Sequence, residues 1–137
     1  MILNIDTRNN VLLKMAFLIK QNANTLLEKN KLDVNAFNKE SNLALYDRLK
    51  IDAIKVEGMI ASLQQLAKQN DPLNVERFSF IHDNGLKISN KTTAFGTVFI
   101  IYESRPDVTI EAAGIAFKSG NKIILKGGKE AINSNLY

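Results

Sequence analysis

Cysteine is absent from the 137 residues, and histidine occurs once, as His82. Without thiols the chain carries no disulfide, no thiolate metal site and no cysteine nucleophile of its own. A single imidazole leaves little room for a zinc centre or a Ser-His-Asp triad, so no metal is expected. Long apolar runs are missing as well. The stretch VLLKMAFLI follows Asp6 and Arg8 and is broken by Lys14, and its pattern continues with helical period, which is not how a signal peptide is built. Nothing approaches the roughly 20 apolar residues that span a membrane, so a cytoplasmic protein with no membrane partner is expected. The net charge of +4 is modest, and the lysines and arginines are scattered. No basic stripe interleaves with aromatics, which argues against a nucleic-acid partner.

What is present suits one domain with a real core: 45% hydrophobic and 23% charged residues. Apolar residues at three-and-four spacing, Leu12, Met15, Ala16, Ile19, Ala23, Leu26 and Leu27, predict a helix over Arg8–Glu28. Such a stripe is far more often core than a binding groove. NKLDVNAFNKE then reads as a polar connector. SNLALYDRL reads as a short helix capped by Ser41 or Asn42. Asp52 caps a third helix running to Lys68, whose face is Val56, Met59, Ile60, Leu63, Leu66 and Ala67. Pro72 bars its continuation, and Gly58 inside it suggests close helix packing.

The period then changes. Phe78 and Phe80 alternate ahead of Asn84-Gly85, and Leu86 to Ser89 follows. This is a hairpin signal in which both turn residues would take positive φ. His82 and Asp83 flank the turn. Strand neighbours face opposite ways, so they read as a solvated turn rather than a catalytic pair. From Thr97, TVFIIY is a near-continuous apolar run of the kind expected of a strand covered on both faces. Pro106 suits the first turn of a helix that is rich in small residues and ends at Gly120. NKIILK is a second strand, and GGKEAINSN turns into another helix. Strand, helix and strand over Thr97 to Lys126 have the size of a βαβ unit.

Two polar corners, YESRP and KGGKE, therefore fall at the carboxyl ends of parallel strands, where α/β sheets bind ligands. Tyr102, Glu103, Ser104 and Arg105 form one loop; Lys126, Gly127, Gly128 and Lys129 form the other. Glycines admit backbone amides to a ligand, and lysines attract phosphate. Neither standard nucleotide fingerprint is present. On the residues alone, a small-molecule site and a plain turn with solvated lysines both stay open.

The stretch VFIIYESRPDVTIEAAGIAFKSGNKIILKGGKEAINSN resembles the signature region of γ-glutamyl phosphate reductase, a branch of the aldehyde dehydrogenase superfamily. YDRLKIDAIKVEGMIASLQQLAKQNDP and the NGLKI hairpin fall in the order of that family's amino-terminal part. One departure is Ala94-Phe95-Gly96, where the family has proline two places before the glycine; it touches no implied catalytic group.

The resemblance implies an α/β fold: amino-terminal helices and a β-hairpin, then the start of a Rossmann-like parallel βαβ sheet, incomplete. Residues 1–137 would be the amino-terminal part of the cofactor-binding domain. It divides into a helical segment (1–75), a hairpin that is a candidate oligomerisation arm (76–93) and the βαβ start (94–137). It implies a reductase of proline biosynthesis in which NADPH delivers hydride to an acyl group derived from γ-glutamyl phosphate, giving glutamate 5-semialdehyde and phosphate. The family's nucleophile is a cysteine thiolate, so this chain alone is expected to be inactive and to be a piece of a protein about three times longer. Ser104 matches the position of an oxyanion or substrate contact. Ile101, Tyr102, Glu103, Lys126, Gly128 and Lys129 match cofactor-binding positions, Lys126 at the adenosine ribose. Arg105 either guides an anionic substrate or pairs with Glu103 or Glu111. Glutamate 5-kinase is the implied functional partner, and the full-length protein would be a homo-oligomer. The competing readings are a small cofactor-binding or interaction module without catalysis, and a basic helical interaction domain.

Overall fold

The computed structural model describes residues 3–137. Its first element, α1 (Ile5–Gln21), starts earlier than the apolar period suggests, because the Asn4 side chain accepts the Thr7 amide at 2.8 Å and caps it. The expected single helix to Glu28 is interrupted at Asn22. There the side-chain amide and the backbone N–H both donate to the Leu18 carbonyl, at 2.8 and 3.0 Å. α2 (Ala23–Ala36) resumes at once and runs through most of the stretch that reads as a polar connector.

That correction has a clear cause: two polar residues of α2 face inward. Asn30 donates to the Leu49 carbonyl at 2.8 Å and accepts the Ile51 amide at 2.7 Å. The Asp33 carboxylate accepts the amides of Asn133 and Ser134 at 3.0 and 2.8 Å, and the Ser134 hydroxyl at 2.6 Å. Both residues are almost fully buried, and their hydrogen bonds offset the cost of leaving water.

α3 (Leu43–Leu49) is capped by Asn42 and α4 (Ala53–Lys68) by Asp52, each side chain accepting the amide three residues on. Val56, Met59, Leu63 and Ala67 of α4 are buried, as its stripe requires. Leu63 and Ala67 form a core with Leu12 and Ala16 of α1. Gly58 is not a packing glycine, because a Cβ there would meet nothing within 4 Å. The close approach is at Gly114, whose added Cβ would lie 2.9 Å from Leu63 Cδ2.

β1 (Glu76–Ile81) and β2 (Lys87–Lys91) form an antiparallel hairpin, with Phe80 opposite Ile88. The turn differs from the expected one. Gly85 alone takes positive φ (83°), and its amide donates to the His82 carbonyl at 2.8 Å. Asn84 thus belongs to a tight turn closed by a left-handed glycine, the three-residue alternative to the two-residue loop. His82 and Asp83 are exposed. All of β1 is exposed, with Phe78 and Phe80 stacked at 6.4 Å.

β3 (Thr97–Ile101), α5 (Pro106–Lys118) and β4 (Lys122–Lys126) form the βαβ unit, with β3 and β4 parallel and in contact. Pro106 opens α5, and Gly120 (φ 73°) follows its last turn. The strands are not covered on both faces among the described residues. Val98, Ile100, Ile123 and Leu125 are half-buried, whereas Phe99, Ile101 and Ile124 are exposed. The helical layer reaches one side only.

A buried charged cluster ties α1 to the end of α5. Arg8 pairs with Asp71 at 2.6 Å and donates to the Lys118 carbonyl. The Lys118 ammonium donates to Asn9 Oδ1 at 2.6 Å and to the Gln69 carbonyl at 2.8 Å. Burial, then the nearby Arg8 charge, pull the Lys118 pKa below its ordinary value, with Asp71 opposing.

Candidate functional site

The parallel register places Ile101 opposite Lys126, and the Tyr102 amide donates to the Lys126 carbonyl at 3.1 Å, one step beyond the strands. The two polar corners therefore leave the sheet side by side at its carboxyl edge. Beyond that point side chains join them. Ser104, 1% exposed, donates its hydroxyl proton to Glu130 Oε2 at 2.6 Å. Glu130 sits in a single tight helical turn, Lys129–Ala131, that leads into α6 (Ile132–Asn135). The Ser104 hydrogen bond, followed by the residue's own backbone amide and the Lys129 charge, holds the Glu130 carboxyl below the usual range, while burial opposes.

The glycine pair fits this contact closely. A Cβ on Gly128 would lie 2.1 Å from Ser104 Oγ and 2.8 Å from Glu130 Oε2. A Cβ on Gly127 would lie 2.4 Å from Asn135 Nδ2 and 3.0 Å from the Tyr102 hydroxyl. The space beside both glycines is filled by the protein's own side chains. The Thr109 hydroxyl donates to Asn135 Oδ1 at 2.9 Å, which uses its only proton, so the Tyr102 hydroxyl is the donor in its 2.6 Å bond to Thr109. Tyr102 is thereby fixed to α5 and α6. Thr109 and Asn135 also line a mainly apolar cavity of about 360 Å³, with Ile19, Met59 and Ile110 on its other walls.

The remaining site residues sit at the surface. Ile101 is 67% exposed on the open face of the sheet. Glu103 is paired with Arg48 of α3, and Arg105 pairs with Asp107 at 3.1 Å. The alternative partners for Arg105, Glu103 and Glu111, are therefore not used. Asp107 is the closer acceptor because it lies in the first turn of the helix that Arg105 precedes. Lys126 and Lys129 are exposed, and neither is in an ion pair among the described residues. No group of three or more metal-ligating side chains occurs among the described residues, and no helix among them is long and apolar enough to cross a membrane.

Sequence reasoning missed Glu130, Thr109, Asn135 and Arg48. Glu130 stands inside the GGKEA motif and could have been singled out as the one acid between the lysine-rich loop and the last helix. Arg48 lies 55 residues from Glu103 and leaves no local signal.

No protein-family model matches the chain. Among curated proteins it is 44% identical over 135 residues to a γ-glutamyl phosphate reductase of Hydrogenobaculum, covering 97% of this chain and 30% of the relative. It is 45% identical to that of Nitratiruptor, covering 98% and 33%. Among solved structures, the γ-glutamyl phosphate reductase of Thermotoga maritima superposes with a TM-score of 0.89 at 32% identity, over 98% of this chain and 33% of that one. The Saccharomyces cerevisiae protein of the same name gives 0.88 at 34% identity, over 96% and 34%. The chain spans about a third of the length of these relatives. In sequence and in backbone, it corresponds to the amino-terminal part of γ-glutamyl phosphate reductase.

Proposed function

We propose that these residues form the cofactor-binding edge of an NADPH-dependent reductase that converts γ-glutamyl phosphate to glutamate 5-semialdehyde and phosphate in proline biosynthesis. The observation that carries this reading is the pairing of the two polar corners at one sheet edge, with two exposed lysines that have no carboxylate partner among the described residues. Exposed ammonium groups at a strand end, in no ion pair among the described residues, suit the phosphates or 2′-phosphate of such a nucleotide.

NADPH, when bound, supplies the hydride that reduces the acyl carbon. Lys126 holds the adenosine ribose or its 2′-phosphate, and Lys129 adds positive charge beside it. Ile101, Tyr102 and Glu103 line the nicotinamide side through backbone and packing, with Tyr102 oriented by Thr109. Arg105 attracts the anionic substrate, weakened by its neighbour Asp107. Ser104 can donate to a developing oxyanion only if its proton leaves Glu130; with that bond intact it fixes the loop. The family resemblance implies a cysteine thiolate for the acyl step, and since these 137 residues hold no cysteine, this reading assigns that nucleophile to residues outside them. The same reading makes the complete protein a cytoplasmic homo-oligomer using the hairpin as its contact arm, with glutamate 5-kinase as the source of the acyl phosphate.

A steady-state assay of the complete gene product tests this, run in reverse with glutamate 5-semialdehyde, phosphate and NADP⁺. Phosphate-dependent formation of NADPH is expected. Turnover by the isolated 137-residue chain, or none by the complete protein, would defeat the reading.

A further inference from the structure

We infer that Glu130 is a positioning residue: its hydrogen bond with Ser104 braces the two strand-end loops against each other and so holds the lysine-bearing segment in its ligand-binding position. The inference rests on the nucleotide reading of this edge, but its evidence is geometric. Main-chain pairing between β3 and β4 ends at Ile101 and Lys126, with one further bond from the Tyr102 amide. Past that point each loop is free to diverge unless a side chain joins them. Ser104 reaches Glu130 at 2.6 Å from an environment with almost no solvent access.

A buried hydroxyl donating to a carboxylate is among the stronger neutral-to-charged hydrogen bonds. Gly128 lies in the gap between the partners, where any larger residue would force them apart. Lys129 stands on the segment that the bond closes, one residue before Glu130, and Lys126 is the ladder residue from which that segment departs. Both side chains are exposed, so the placement of Lys129, and the course of the chain away from Lys126, depend on the loop rather than on side-chain packing.

A double-mutant cycle in the complete gene product reads this coupling directly, with NADPH affinity measured by fluorescence titration. Ser104→Ala and Glu130→Ala should each weaken binding about five- to twentyfold, less than the roughly ten- to hundredfold of a charged hydrogen bond made to the ligand itself, because this bond acts only through the loop. The double variant should be no weaker than either single one, because both remove the same bond. Glu130→Gln should stay within about threefold of wild type, since its amide oxygen still accepts from Ser104. Losses that multiply in the double variant would overturn the brace, as would Glu130→Gln behaving like Glu130→Ala, which would mean direct contact by the charge. Amide exchange at Gly127–Lys129 without nucleotide is the second readout, and it should quicken in both alanine variants but not in Glu130→Gln. If wild type binds no NADPH, the nucleotide reading falls. Exchange then decides the brace alone, and unchanged protection in the alanine variants refutes it. Should those variants fail to fold, a Glu130→Gln variant with lost protection also refutes it.

Discussion

Gly128→Ala is the smallest change that should disturb the proposed site. The backbone there has φ −64° and ψ 149°, which any residue adopts, so no conformational penalty is involved. The cost is steric. The new methyl would sit 2.1 Å from Ser104 Oγ, 2.8 Å from Glu130 Oε2 and 3.1 Å from the Ser104 amide nitrogen. Ser104 is 1% exposed, so it has nowhere to withdraw. Overpacking of this kind costs about 1–3 kcal/mol. Separating Ser104 from the carboxylate removes a charged hydrogen bond worth about 1.5–3 kcal/mol. The two overlap, because relieving the clash is what breaks the bond, so the expected loss is about 2–4 kcal/mol against a typical total of ~5–15 kcal/mol. Urea unfolding of the complete protein measures the loss, and NADPH titration measures how much of it reaches the site. Combining Gly128→Ala with Ser104→Ala removes the nearest clashing atom, so the pair should be little worse than Ser104→Ala alone. A Gly128→Ala protein within about 0.5 kcal/mol of wild type, the range of an ordinary surface change, would refute the packing described for these loops.

Gly58→Ala should act in the opposite direction: the position is helical, exposed and open, so stability should rise by about 0.5–1 kcal/mol in urea unfolding, and a fall would reveal packing against that glycine. Asp71 has its carboxyl pKa below the ordinary 3.8, because the Leu73 amide and Arg8 together outweigh burial, the largest single influence. A depressed folded-state value adds stability that is complete above 3.8 and is lost as pH falls through the lower value. Asp71→Asn should therefore flatten this part of the acid limb of stability against pH, and an unchanged limb would show that the Arg8 pair does not govern it.

Much of this fold could be read from residue patterns, and the reasons for success and failure are physical. α4 was legible because an apolar stripe and an Asp cap point to the same boundaries, and the βαβ unit because two apolar runs flank a helix opened by proline. α2 was hidden because Asn30 and Asp33 make it look solvated, whereas their partners, Leu49, Ile51, Asn133 and Ser134, lie far along the chain. Arg8 and Lys118 were hidden for the same reason, meeting across 110 residues. The two corners of the candidate site were legible as strand ends. The Ser104–Glu130 bond was not, since it follows from the parallel register of β3 and β4, which no single strand specifies.

The central claim, that this edge binds the nucleotide, is tested most directly by the Michaelis constants of Lys126→Ala in the complete protein at fixed ionic strength. Losing one charged hydrogen bond should cost about 1.5–3 kcal/mol, a roughly ten- to hundredfold rise in the constant for NADPH. The lower end is expected for an ammonium as exposed as this one, and the constant for the glutamyl substrate should barely move. A change of less than about twofold for NADPH, the behaviour of a solvated strand-end lysine, would contradict the claim.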